Sequence, residues 1–215
     1  LHPEFEPLRQ LRRTLDHLRR GSLVVGADGR NRCRVSPFGT ITGRNTGSTT
    51  GFVFFAPGWM RNFIRPLPGH GLAYLDYGQQ EFAIAAALSG DPNMIAAYKS
   101  GDPYLATAVQ AGMAPENATK ASHKAVRDLF KECVLATNYM MGEASFAARI
   151  NQPRIIARGL LAAYRRTYSG YWAWSDAAHD HAVLSGKITT AFGWPLHVTP
   201  KTKGRTVRNY LMQGN

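Results

Sequence analysis

Residues 72–90, LAYLDYGQQEFAIAAALSG, join an apolar run to a helical pattern through a single acid. Leu72, Ala73, Tyr74 and Leu75 make a run of strand length that reads as buried, and Phe82, Ala85, Ala86 and Leu88 recur as the covered side of a helix. Asp76 is therefore expected at a strand terminus, beside the backbone carbonyl of Tyr77. A carboxylate and a carbonyl there suit Mg²⁺, which takes one or two carboxylates together with carbonyl, water and phosphate oxygens. Asp76 and Glu81 equally suit ordinary loop and N-cap roles, and other parts of the chain must decide between the two.

The 215 residues are 44% hydrophobic and 11% aromatic, enough for one sizeable core or two small ones. Lys and Arg total 26 against 14 acids, a net charge of +12 with a pI near 10.1, which points to a polyanionic partner. Nucleic acid is favoured over an acidic membrane surface, because no basic amphipathic stretch is long and cleanly segregated and no apolar run approaches a membrane span. Cys33 and Cys133 lie far apart without metal-ligand spacing, so buried, reduced thiols in a cytoplasmic setting are expected, without a secretion signal. The chain opens at Leu1 rather than Met and closes at Asn215 inside a helical pattern, and is expected to be a piece of a longer protein.

Residues 4–20 carry Leu8, Leu11, Leu15 and Leu18 at helical intervals, with Arg9, Arg12, Arg13, Arg19 and Arg20 elsewhere around the turn. Residues 22–25 and 32–35 are strand candidates about Ala27-Asp28-Gly29-Arg30, whose Asp-Gly pair signals a hairpin. Residues 39–51, GTITGRNTGSTTG, lack the lysine of a P-loop. Small hydroxyl residues around Arg44 would suit a nucleic-acid backbone, and would equally make a plain loop. Ala56-Pro57-Gly58 is a turn signal. Ser89-Gly90-Asp91-Pro92 ends one helix and starts another over 92–100, and Gly101-Asp102-Pro103 repeats the device before a helix over 104–111.

A helix over 119–141 holds the clearest chemistry. Lys120, Lys124, Arg127 and Lys131 step by four, three and four along one face, and Leu135 and Tyr139 continue the stripe. Tyr139 lies about 12 Å beyond Lys131, roughly the reach of a nucleoside triphosphate from phosphates to base. The same four cations would also make a solvated face. A further helix over 149–169 packs Ile155, Ile156, Leu160, Leu161 and Tyr164 one way and exposes Arg158, Arg165 and Arg166. Tyr168, Tyr171, Trp172 and Trp174 read mainly as core. His179 and His181, one residue apart in a helix, splay too far for a metal pair. Residues 187–192 and 194–198 read as a hairpin about Phe192-Gly193. Arg205, Asn209 and Gln213 then recur every four residues on a terminal helix, donors suited to minor-groove acceptors common to all base pairs.

Taken together, Thr42-Gly43-Arg44, Asp76-Tyr77-Gly78-Gln79-Gln80-Glu81, Leu88-Ser89-Gly90-Asp91-Pro92-Asn93, the Arg127, Lys131 and Tyr139 spacing, and Arg205, Asn209, Met212, Gln213 and Gly214 make the chain resemble the polymerase domain of family A DNA polymerases, above all their phage-borne members. The resemblance implies that Asp76 and the carbonyl of Tyr77 are metal ligands, with two Mg²⁺ ions in the complete enzyme. It implies that Glu81 blocks a ribose 2′-OH, that Arg127 and Lys131 hold the incoming triphosphate, and that Leu135 and Tyr139 border the nascent base pair. Thr42, Arg44, Gln79, Arg205, Asn209 and Gln213 would contact nucleotide, primer or template. Gly78 stands where a serine is usual, Leu135 where an aromatic is common, and Met140-Met141-Gly142 follows Tyr139 in place of an immediate glycine.

The implied fold is α+β, an antiparallel palm sheet with helical fingers: residues 1–20 at the thumb junction, 21–113 the first part of the palm, 114–182 the fingers, and 183–215 a palm return. Little or no thumb is expected. The family's His-Asp-Glu turn is not among the 215 residues, so the chain alone is expected to be inactive or nearly so. The implied partners are primer-template DNA and a dNTP, bound by a monomer without a membrane. A single-subunit RNA polymerase shares the Arg, Lys and Tyr spacing, but Glu81 opposes it because RNA synthesis needs room for the 2′-OH. A non-catalytic nucleic-acid-binding module would also carry this charge.

Overall fold

In the computed structural model of the chain, which describes residues 3–20, 23–48, 51–55 and 58–215, the stop and start signals of the sequence become a series of short helices. It falls into two units, residues 1–76 and 77–215.

In the first unit, a 3-10 turn at Pro3–Phe5 leads into α1 (Glu6–Arg20). Glu6 in its first turn pairs with Arg9 at 2.5 Å, an acid where the helix dipole favours one. The expected leucine seam forms but stays 43–62% exposed. The expected hairpin about Asp28-Gly29 is reduced to one bridge between Val25 and Asn31. It is closed by the Gly26 N–H donating to the Arg30 carbonyl at 3.0 Å, and Gly29 supplies the positive φ of +74°. β1 (Val35–Ser36) and β2 (Thr46–Gly47) pair antiparallel, with Val35 opposite Gly47. Gly39 is required there, since a Cβ would lie 2.0 Å from Thr46 Oγ1. Two 3-10 segments follow, Val53–Phe55 and Gly58–Phe63; the turn expected at Ala56-Pro57-Gly58 lies largely outside the described residues.

Residues 72–75 correct the opening expectation: they are irregular and exposed, with Leu75 91% and Tyr74 67% accessible. A strand gains stability only when its N–H and C=O groups meet a neighbour, and among the described residues no segment pairs with this run. Apolar length says nothing about a partner. The antiparallel strands that are present pair in twos, so no larger sheet carries Asp76 among the described residues.

The second unit is mostly helical: α2 (Gln80–Ser89), α3 (Pro92–Lys99), α4 (Pro103–Gln110), α5 (Lys124–Asn138), α6 (Glu143–Ile150), α7 (Arg154–Thr167), α8 (Ser169–Ser185), the antiparallel β3 (Lys187–Thr189) and β4 (Pro195–His197), and α9 (Gly204–Gln213). Asp91 and Asp102 cap α3 and α4, accepting from the backbone N–H of Met94 at 3.0 Å and Leu105 at 3.3 Å, with Pro at the first helical position each time. Buried Asp91 also accepts the Tyr171 N–H with its other oxygen at 3.0 Å, so one carboxylate joins the α2–α3 turn to the start of α8. Gly170 is needed beside it, because a Cβ would meet Asp91 Oδ2 at 2.9 Å.

The main core gathers Phe82, Ala85 and Ala86 of α2, Met94 of α3, Phe130, Cys133 and Val134 of α5, Phe146 of α6, Leu160 and Tyr164 of α7, and Tyr168, Tyr171 and Trp172 of α8. The aromatic cluster is core, as expected, and its phenols are satisfied. Thr107 gives its proton to the Pro103 carbonyl at 2.6 Å, so Tyr168 donates to Thr107 at 2.6 Å. A smaller core of Ala182, Ile188, Leu196, Val207, Tyr210 and Leu211 seats the hairpin against α8 and α9.

Two helix expectations change. The helix expected over 149–169 is α6 and α7, broken where Asn151 turns left-handed at φ +52° and Pro153 starts the next helix. Ile155 and Ile156, expected to pack, are 66% and 45% exposed. The helix expected from 119 begins only at Lys124, because the Thr119 and Ser122 hydroxyls and backbone N–H groups bond one another in a turn first.

Candidate nucleotide-binding face

α5 is fixed by Phe130, Cys133, Val134 and Ala136, all at most 1% exposed, which turn its opposite side outward. Burial pushes the Cys133 thiol up to about 12, so it is packing rather than chemistry. The four cations expected along the outer face meet different fates. Lys120 precedes the helix, in the Thr119–Ser122 turn. Lys124 donates to Asp128 at 2.6 Å and holds that carboxyl below its usual range. Lys131 is exposed and makes no hydrogen bond among the described residues.

Arg127 is not a solvated cation. Its side chain is 14% exposed, its Nε–H donates to Asp102 at 2.5 Å, and its guanidinium lies 5.4 Å from the Tyr104 ring centroid. The Asp102 hydrogen bond raises the guanidinium's pKa. Asp102 and Tyr104 were missed by spacing arguments, since Gly101-Asp102-Pro103 reads as a cap and nothing more. The one available signal was that a capping carboxylate has a second oxygen to use.

At the far end of the face, the Tyr139 hydroxyl donates to Glu81 Oε1 at 3.0 Å. Two residues 58 positions apart are thereby brought together, one from the first turn of α2 and one from the C-cap of α5. Leu135 lies between them and Lys131 along the helix and is half-buried. The helix ends as a Schellman motif: Met140 N–H to the Thr137 carbonyl at 2.9 Å, Met141 N–H to the Ala136 carbonyl at 2.8 Å. Met140 takes the left-handed position at φ +52°, where glycine is the unstrained choice. Gln79 enters α2 in the same region, φ +49°.

α9 is oriented by buried Val207, Tyr210, Leu211 and Met212, and by Arg208, which reaches Ser175 Oγ at 2.8 Å and Asp176 at 2.7 Å on α8. Arg205, Asn209 and Gln213 share one side; Arg205 is exposed, and Asn209 Oδ1 is buried with no hydrogen-bond partner among the described residues.

The remaining expected residues, Tyr77 apart, belong to the first unit. Thr42 and Arg44 sit in a turn organised by Thr40, whose Oγ1 lies 3.0 Å from Thr42 Oγ1 and accepts the Arg44 N–H at 3.0 Å, with Gly43 at φ +75°. Asp76 closes that unit and is exposed, and the exposed Tyr77 begins the second. Among the described residues no three His, Cys, Asp or Glu side chains group to hold a metal. Asp76 with the adjacent carbonyl is thus a donor pair of the right hard-oxygen kind but with one carboxylate.

A basic, mostly helical domain with small antiparallel sheets, a cationic helix face and a Glu–Tyr contact at its end has a defined affiliation. Residues 56–214 match the sequence model of DNA polymerase family A, and the chain belongs to that family. A DNA polymerase of Mycobacterium phage L5 is 28% identical over 148 residues, covering 69% of this chain and 23% of the phage protein. In fold the chain resembles the POL domain of Pol1 from M. smegmatis, solved in complex with DNA primer-template and dNTP. The TM-score is 0.71 at 22% identity, over 96% of this chain and 38% of that one. The chain therefore spans well under half the length of either relative. Among the described residues no helix is long and apolar enough to cross a membrane.

Proposed function

We propose that the protein carrying this chain is a DNA-directed DNA polymerase, transferring a deoxynucleotidyl group from a dNTP to a primer 3′-OH, and that α5 is its nucleotide-binding face. The observation that carries this is the order along α5 of Arg127, Lys131, Leu135 and Tyr139, with Tyr139 bonded to Glu81. Arg127 and Lys131 would take the phosphates, and Leu135 and Tyr139 would border the base. Glu81, held by Tyr139, would stand where a ribose 2′-OH would need room. Thr42, Arg44, Gln79, Arg205, Asn209 and Gln213 would contact nucleotide, primer or template. In this reading residues 21–113 and 183–215 are palm and 114–182 fingers.

Phosphoryl transfer depends mostly on positioning and charge neutralisation. Asp76 and the Tyr77 carbonyl would hold a divalent cation. Two such Mg²⁺ ions, when bound, would steady the attacking and departing oxygens. One carboxylate is a weak holder for two ions, so the 215 residues alone would extend primers poorly or not at all. Primer extension with Mg²⁺ by the longer protein tests this: extension lost in Asp76→Ala supports it, and extension unchanged in Asp76→Ala overturns it. Glu81→Ala in the same assay should raise ribonucleotide incorporation, which separates DNA from RNA synthesis.

A further inference from the structure

Asp102 divides its two oxygens between two jobs. Oδ1 accepts the Leu105 N–H at 3.3 Å and starts α4, while Oδ2 accepts the Arg127 Nε–H at 2.5 Å from another helix. The two side chains are 26% and 14% exposed, so the pair is shielded from solvent screening. A guanidinium donates from Nε and from two terminal nitrogens in one rigid plane. The Tyr104 ring centroid lies 5.4 Å from the guanidinium carbon, and the hydrogen bond to Asp102 ties down the Nε edge. Nε is thereby used. Asp128 Oδ1 lies 3.5 Å from one terminal nitrogen, a distance at which a hydrogen bond is weak.

We infer that Asp102 is a positioning residue for nucleotide binding: with Tyr104 it grips Arg127 by its Nε edge, so that the terminal nitrogens are already aimed when the phosphates arrive. This rests on reading α5 as the triphosphate face. Ordering a long side chain beforehand removes that cost from binding. Simple electrostatics has the opposite sign, because a carboxylate beside the arginine repels phosphate and its removal should tighten binding. The sign of the effect distinguishes the two.

Asp102→Asn is the suitable variant, since Asn caps a helix as well as Asp does and, with its oxygen kept on the cap, turns an amide donor in place of the charged acceptor toward Nε. Binding of inorganic tripolyphosphate to the 215-residue chain, measured by calorimetry at fixed ionic strength, should weaken about tenfold, the order expected for one charge-assisted hydrogen bond. Asp128→Asn removes a like charge nearby without touching Nε and should not weaken binding. In side-chain ¹H–¹⁵N spectra the Arg127 Nε–H should be shifted and slow to exchange in the unaltered chain and in Asp128→Asn, but not in Asp102→Asn. If Arg127→Ala binds as the unaltered chain does, or the unaltered chain does not bind, the reading of α5 fails and this inference with it. If Arg127→Ala loses affinity while Asp102→Asn keeps or gains it, or Asp128→Asn weakens binding equally, the reading of α5 stands and the role of Asp102 is overturned.

Discussion

α1 and α5 have the same length, and each carries apolar residues on one side and cations on another, yet they end differently. In α5 the apolar side is sealed, with Phe130 and Cys133 at 0% exposure; in α1 Leu8 and Leu18 remain 62% and 50% exposed. The contrast extends to the two units: the second has a main and a smaller buried core, and among the described residues of the first no side chain is fully buried. Periodicity tells which side of a helix can be covered. It does not tell whether anything covers it, and burial, not pattern, supplies most of a helix's stability.

The contrast should be sharpest in core truncation. Phe130→Ala should cost about 3–5 kcal/mol, whereas Leu11→Ala should stay within about 0.5 kcal/mol. Denaturant midpoints of the two variants check this, and equal shifts would erase the distinction. Asp91→Ala comes next. It removes the α3 cap and leaves the Tyr171 N–H without its acceptor, together about 2 kcal/mol; Asp91→Asn, which keeps the cap, should lose less in the same assay.

The two cysteines divide the same way. With its thiol held up to about 12, Cys133 should resist iodoacetamide at pH 8 until denaturant is added, while the partly exposed Cys33 reacts at once. Peptide mass spectrometry counts the label. Linkage follows: an unfolded thiol ionises near pH 8.5 and folded Cys133 does not, so this contribution is present below about pH 8.5 and declines as pH rises toward 12. The smallest effect is at Met140, which holds a left-handed position suited to glycine. Met140→Gly should raise stability by a few tenths of a kcal/mol, the relief of strain being partly offset by glycine's greater entropy loss; a lowered melting temperature would mean that the Met140 side chain matters more than its backbone.

What was legible in the sequence was local. Asp91-Pro92 and Asp102-Pro103 started helices where expected because a cap and a proline act within one turn. The β3–β4 hairpin formed about Gly193, whose φ is +84°. The strand at 72–75 failed because pairing is non-local, and the break at Asn151 was missed although Pro153 announced it. At the site, spacing alone placed Arg127, Lys131 and Tyr139 on one helix. It could not show that Arg127 is gripped by Asp102, 25 residues away, or that Tyr139 reaches Glu81, 58 away, since such contacts depend on how helices pack.

The proposed nucleotide-facing role of α5 is tested most directly at Lys131, which is exposed and open to acylation. Lysine acetylation of the chain with and without dNTP and Mg²⁺, read by mass spectrometry, should show Lys131 protected in proportion to dNTP occupancy while exposed Lys99 on α3 is labelled as before. Equal labelling of Lys131 at saturating dNTP would contradict the assignment of this face to the nucleotide.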